Sequence, residues 1–458
     1  MLALIYFALA ALVGDFICRR FYQFESRAHR YAAAILVGVV VSSWFTYLAG
    51  LAFFWTPQPL LWANLLFFIA AVALLSWPKW KGRILKTTSG DAYYERSNLY
   101  LTRPEGSSIA DWLLIAGYVV LVSWMMFASF NAEGGKLRIA NPEYSDFGPN
   151  TALIQSFAVG HNFPTEYPHF SGDRIRYHFL FYFQAGNLEF LGLNPAWSLN
   201  LLSISTLVAM LVIVMTLGEV LFNSRAVGRL GSLLFFFFGS LSYVPFLQKQ
   251  ASVRAALEAI THQRDYLPTI FPYRGDAWGT WSQVTYLNQR HFATAIGIFL
   301  LVLLFLVIRY RAVAAKRAEA RASAKTTIAQ PYESPDTGSM PVIVNPDAAD
   351  AEEVRRTGET ENVGEPQAEM PAPDTGSMPI ITGATEDVRE PQAEIPAVAA
   401  VMEPAQETSI TREPFLATLP PFIFSGALLG LLPMFNSAVF LAAAAVLGVL
   451  FLLFSLRG

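Results

Sequence analysis

Long apolar runs, broken by short polar or basic patches, dominate the chain. Each run approaches the ~20 residues an α-helix needs to cross a bilayer core. Hydropathy and flanking charge predict about nine spans. They fall at Ala3–Cys18, Tyr31–Trp55, Leu61–Trp77, Trp112–Ser129, Ser198–Leu221, Leu230–Phe246, Ala293–Ile308, Phe415–Leu432 and Ala438–Phe454. The first has no basic residue before it and Arg19 and Arg20 after it. That polarity suits an uncleaved span with its N-terminus outside better than a signal peptide. Lys79, Lys81, Arg83 and Lys86, then Arg225 and Arg229, then the run "RYRAVAAKRAEARASAK" all fall on one predicted side, the cytoplasmic one.

Two shorter patterns do not read as spans. After Pro149, the positions Leu153, Ile154, Phe157 and Ala158 form one apolar stripe, with Thr151 and Gln155 facing away. This predicts a short interfacial helix. "YHFLFYFQAGNLEFLG", Tyr177 to Gly192, is short and holds Gln184, Asn187 and Glu189. Were it to cross, Arg225 and Arg229 would move outside. It is therefore expected to lie in the outer interface, where aromatic side chains are favoured.

The chain so divides into a four-span segment (1–129), a first external segment with juxtamembrane helices (130–197), a two-span segment (198–247), a second external loop (248–292), one span (293–310), a cytoplasmic linker (311–412) and two final spans (413–458). The expected fold class is all-α, a polytopic membrane helix bundle with external juxtamembrane helices. Within the linker, "PDTGSMP" occurs twice, and "EPQAEMP" is echoed by "EPQAEIP". That composition buries too little apolar area to offset chain entropy, so disorder is expected.

Composition agrees: 54% of the 458 residues are hydrophobic, more than a soluble domain can carry on its surface. One cysteine, Cys18, excludes an intramolecular disulfide and a Cys-based zinc site. No phosphate-binding glycine loop or serine-nucleophile motif occurs, and no nucleic-acid partner is expected. The expected setting is a plasma or inner cell membrane, with membrane lipids as partners.

Candidate chemistry gathers in "EYSDFGPNTALIQSFAVGHNFPTEYPHFSGDRIRYHFLFYF". Asp146 precedes a helix, where an acid either caps the first turn or serves as a functional carboxylate. Arg174 and Arg176 suit phosphate oxygens, or lipid headgroups at the interface. In the second loop, Arg290 and His291 stand at the mouth of a span, a natural place for a diphosphate clamp. Five of six histidines and the acids Asp146, Glu166 and Asp173 share the outer side, which leaves a divalent metal site open, although no pair has a ligand spacing such as HxxxH. The aromatic run "YLPTIFPYRGDAWGTWSQVTY" reads either as a sugar platform or as a membrane belt.

The order of acid, short helix, "FPTEYPHFSGD", aromatic cluster and span resembles the first external loop of GT-C class membrane glycosyltransferases. More narrowly it is similar to the prokaryotic multi-spanning family named for a triple tyrosine. Asp146, Phe163, Pro164, Pro168, Gly172 and Tyr177 fall on pattern positions. Tyr167 stands where a second acid is expected, with Glu166 adjacent, His169 replaces Trp, and His178 and Phe179 replace two tyrosines. The resemblance implies a sugar donor on a polyprenyl phosphate or diphosphate, bound from the outer leaflet. It implies Asp146 as general base on an acceptor hydroxyl, with Glu143 in reserve. Arg290, His291, Arg174, Arg176, Glu166, Tyr177 and His178 become the candidate substrate-binding set. A flippase of lipid-linked saccharide and a non-catalytic scaffold remain as alternatives.

Overall fold

The computed structural model describes residues 1–81, 107–140, 146–170, 172–262, 282–328 and 415–455. Two compact units emerge, 1–325 with 413–458, and 326–412. The repeat tract belongs to the second and lies outside the described residues, as do Glu143, Arg264, Arg274 and most of the 266–286 aromatic run.

The first unit is mostly helical. In chain order it contains α1 (Leu2–Phe21), α2 (Arg27–Ala52), α3 (Pro59–Lys81), α4 (Ile109–Ser129), β1 (Phe130–Glu133), β2 (Lys136–Ile139), α5 (Phe147–Ala158) and α6 (Leu180–Phe190). There follow α7 (Pro195–Phe222), α8 (Arg225–Phe236), α9 (Tyr243–Gln248), α10 (Val253–Thr261), α11 (Ser282–Asn288), α12 (Phe292–Ile328), α13 (Phe415–Gly430) and α14 (Pro433–Ser455). Among the described residues seven helices are long and apolar enough to cross a membrane: α1, α2, α3, α4, α7, α12 and α14. Their outward faces carry Leu65, Ile69, Leu113, Val120, Leu441 and Phe451, all exposed. In water that surface would be costly; in lipid it is the expected face.

Two expected spans come out differently. Residues Phe415–Leu432 give the 16-residue α13, with Pro420 and Pro421 inside it. Leu230–Phe246 is interrupted between α8 and α9. The 12 residues of α8 rise only about 18 Å. Its first turns pack beside the start of α4, where Arg229 Nε meets Asp111 Oδ1 at 2.7 Å and Ser232 bonds the Tyr118 hydroxyl at 2.8 Å. α11 begins where α8 ends: Ser282 N donates to Phe238 O at 2.9 Å, and its hydroxyl donates to Phe236 O. From there it climbs to Arg290, which bonds Ser129 at the far end of α4. Two short helices thus lie end to end along one long one. Hydropathy alone could not join segments so far apart in sequence.

Small residues fix the α1–α2 pair. A Cβ added to Gly38 would stand 2.3 Å from Ala10 O, and one at Gly14 would stand 2.1 Å from Ala34 O. Such backbone approach is how helices associate where lipid removes the hydrophobic drive. Gly38→Leu is therefore expected to destabilise the detergent-solubilised protein by about 2 kcal/mol or more. Gly117→Leu is the control, because nothing lies within 4 Å of its added Cβ. Equal melting temperatures for the two variants would reject this packing argument.

The sixth helix corrects a second expectation. α6 is short, as expected, at 11 residues, but it is not an interfacial helix with a lipid-facing side: Leu180 through Leu188 are all buried. It is enclosed by protein, and its amide N–H groups find partners there, while Gln184 Oε1 has no partner among the described residues. Asn187 and Asn64 exchange amide hydrogen bonds at 2.6 and 3.1 Å, and Gln184 donates to Ser42 at 3.3 Å. α5 lies against it so closely that a Cβ on Gly186 would meet Ile154 O at 2.6 Å.

One missed element is a hairpin, β1 paired antiparallel with β2. Gly134 and Gly135 form its turn with φ of +59° and +75°, a conformation glycine adopts at little cost. The signal was present as Gly-Gly between two short extended runs.

Candidate functional site

The bundle has two chemically distinct ends. Asp15, Arg19 and Arg30 form an ion-pair cluster at one, with Arg30 bidentate on Asp15 at 2.5 and 2.7 Å. Arg229 pairs with Asp111 at the same end, and Arg311 donates to the carbonyls of Val220 and Leu221 at the last turn of α7. At the opposite end a cavity of about 480 Å³ opens beside α5. Asp146, Asn150, Tyr167, Asp173, Arg174, Arg176, Tyr177, Tyr182, Gln289 and His291 line it with a few apolar neighbours.

Asp146 is at the N-cap position of α5, yet its side chain caps nothing. Part of the reason is readable in the sequence. A capping side chain accepts from the backbone N–H of the second or third helical residue. Here the third is Pro149, which has no N–H. The carboxylate instead accepts a hydrogen bond at Oδ2 from Gln289 Nε2. Among the described residues Oδ1 has no hydrogen-bond partner.

Gln289 and His291 reach the cavity because Arg290 between them is anchored inward. Arg290 is only 2% exposed and does not line the cavity. Its guanidinium donates to Asn200 Oδ1, to Ser129 Oγ at 2.7 Å and to Met126 O at 3.4 Å, while Nε donates to Leu287 O at 3.2 Å. It also sits 5.1 Å from the Phe147 ring, next to Asp146. The expected diphosphate clamp is thus a buried strut tying α4, α7 and α11 together. Sequence position put it at a span mouth; only packing decided which way it points.

His291 is 1% exposed. Its Nδ1 lies 3.0 Å from the Tyr182 hydroxyl, and its buried Nε2 has no hydrogen-bond partner among the described residues. With Tyr182 donating, Nε2 carries a proton and is a free donor beside the cavity. The His178 ring lies tilted against the His291 ring, centroids 4.1 Å apart, and among the described residues neither of the buried His178 nitrogens has a partner. Burial pushes His178 down to about 4, and burial together with His178 holds His291 well below the usual histidine range. Burial, with Asp146 nearby, raises the Tyr177 phenol, and burial raises the Tyr182 phenol. Both imidazoles are neutral near pH 7.

This gives a pH dependence. The unfolded chain protonates histidine below about pH 6.5, whereas folded His178 resists until about 4. Stability is therefore full above about 6.5 and falls as pH drops toward 4. Acidifying from pH 7.5 to 5 should cost on the order of 1 kcal/mol through this residue. His178→Phe should flatten the difference between thermal melts at the two pH values; an unchanged difference would exclude the mechanism.

Glu166 does not line the cavity. Its Oε2 accepts from Gly172 N at 3.1 Å, and its backbone pairs antiparallel with that of Arg174 across the loop. His178 also stays behind the lining. Asn150, Tyr182 and Gln289 line the cavity without having been anticipated, Asp173 was weighed only as a metal ligand and Tyr167 only as a pattern position, and Gln289 lay one residue from a candidate in sequence. Among the described residues no three His, Cys, Asp or Glu side chains gather as a metal ion would require.

Comparison with known proteins finds no matching family model, no matching curated protein and no matching solved structure.

Proposed function

We propose that this protein is a membrane glycosyltransferase of the GT-C type, transferring a sugar from a polyprenyl phosphate or diphosphate to an acceptor hydroxyl. The observation that carries this reading is the meeting, in one cavity, of an uncapped carboxylate with two exposed arginines. The arginine-rich end of the bundle is cytoplasmic by the positive-inside rule, which turns the cavity outward. A long isoprenoid would lie along the apolar helix faces with its phosphate at the rim. Arg174 and Arg176 supply cations for phosphate oxygens.

In the reaction, the acceptor oxygen attacks the anomeric carbon as the carbon–oxygen bond to phosphate breaks. The phosphate leaves with the bonding pair, and the hydroxyl proton passes to Asp146. Configuration inverts. Gln289, donating to Oδ2, orients the carboxylate and leaves Oδ1 for the proton. The scaffold alternative would draw support from a capping Asp146, and this carboxylate does not cap. The test is direct. Purified full-length protein is incubated with a panel of synthetic polyprenyl-phosphate and polyprenyl-diphosphate sugars and with envelope acceptors, and the products are followed by mass. Neither transfer nor donor hydrolysis from any of them, with the protein still folded, would sink the proposal.

A further inference from the structure

The loop that supplies the arginines also presents aromatic rings, and it is built to hold them still. Tyr167 N donates to Asp173 O at 2.7 Å, and the backbones of Glu166 and Arg174 pair antiparallel. The Asn162 side chain accepts from Glu166 N at 2.8 Å and donates to Glu166 O at 2.7 Å. Tyr47 donates to Thr165 at 3.1 Å, fastening the loop to α2. On this frame Phe170 is 66% exposed and Tyr177 52% exposed, and both line the cavity. Tyr167 stacks behind Phe170, centroids 5.8 Å apart and planes within 19°.

A rigid loop that shows two rings to a polar cavity suits a ligand with one apolar face and a hydroxyl edge. A pyranose has that form: its axial C–H face packs on an aromatic ring, and its hydroxyls donate to carboxylates. Asp173, Asp146 and the Asn150 amide stand around the same cavity to receive them. Among the described residues His291 Nε2 has no partner, and with Tyr182 donating to Nδ1 it adds a donor. We infer that the Tyr167–Phe170–Tyr177 rim is a pyranose subsite that selects the sugar handled here. This deepens the proposed function and rests on it for the identity of the reaction, but the binding claim stands on the rim alone.

Binding is measured without catalysis, by saturation-transfer NMR of full-length protein in detergent against methyl glycosides of glucose, galactose, mannose and N-acetylglucosamine. At least one should bind, and Phe170→Ala should weaken it at least tenfold, with Phe170→Trp restoring binding and Phe170→Leu failing to. Thermal melts confirm that the variants fold; Phe170 is exposed, so they should match the parent. Absence of binding for all four glycosides, or equal rescue by Leu and Trp, overturns the subsite. So does a Phe170→Ala variant that binds the glycosides as tightly as the parent, which would leave Phe170 with no part in the subsite. In the transfer assay, a Phe170→Ala effect on the Michaelis constant for donor or for acceptor tells whose sugar sits there. Binding without transfer would keep the subsite and remove the glycosyltransferase reading. Transfer indifferent to Phe170→Ala would do the reverse.

Discussion

Asp146→Asn is expected to lower sugar transfer by about 100-fold or more while leaving the melting temperature almost unchanged. Asparagine keeps the size of the side chain and an oxygen that can accept from Gln289. It loses the ability to take a proton. Since Asp146 caps no backbone N–H, the substitution removes no helix-terminal bond either. An inert structural residue would instead leave the rate intact. Transfer from a polyprenyl-linked sugar, measured with thermal stability on the same preparation, separates the two. Full activity in Asp146→Asn would remove the catalytic assignment and make Glu143 the next carboxylate to examine.

Arg290→Ala should fail in a different manner. The residue is a strut, so its loss leaves the buried Asn200 Oδ1 and Ser129 Oγ without their donor, while Met126 O keeps Phe130 N and Ser129 Oγ. Each unmet group costs about 1 to 3 kcal/mol, and the void adds more. A destabilisation of about 3 kcal/mol or greater is expected, read as a collapse in the yield of folded protein. Arg174→Ala and Arg176→Ala should show the opposite pattern. Both side chains are exposed, so melting should hold while the Michaelis constant for the lipid-linked donor rises about tenfold. A normal melt for Arg290→Ala with a raised Michaelis constant would restore the phosphate clamp that its sequence position suggests.

Much of the bundle was legible in the chain because a lipid-facing helix must satisfy its own backbone and show apolar side chains. Seven of the expected spans therefore stand as long apolar helices. The flanking arginines marked one end for the same reason: they cannot rest among acyl chains. Even the missing cap was in part local information, since Pro149 removes one of the two N–H groups that Asp146 could have capped.

What the sequence could not supply was the partner of each polar group inside. Gln184 and Asn187 looked like reasons to keep a segment at the interface. In the fold they are buried where Ser42 accepts from the Gln184 amide and Asn64 pairs with Asn187, both from helices far back in the chain. Arg290 and His291 are neighbours in sequence, yet one turns into the bundle and the other to the cavity, because Ser129 and Asn200 hold the guanidinium while Tyr182 holds the imidazole. Leu230–Phe246 is interrupted where α11, from a distant part of the chain, takes over its path beside α4. Hydropathy is a property of one segment, whereas satisfaction of a buried hydrogen bond belongs to two. Span positions are therefore written in the sequence, and the site exists only once α4, α5, α6 and α11 have met.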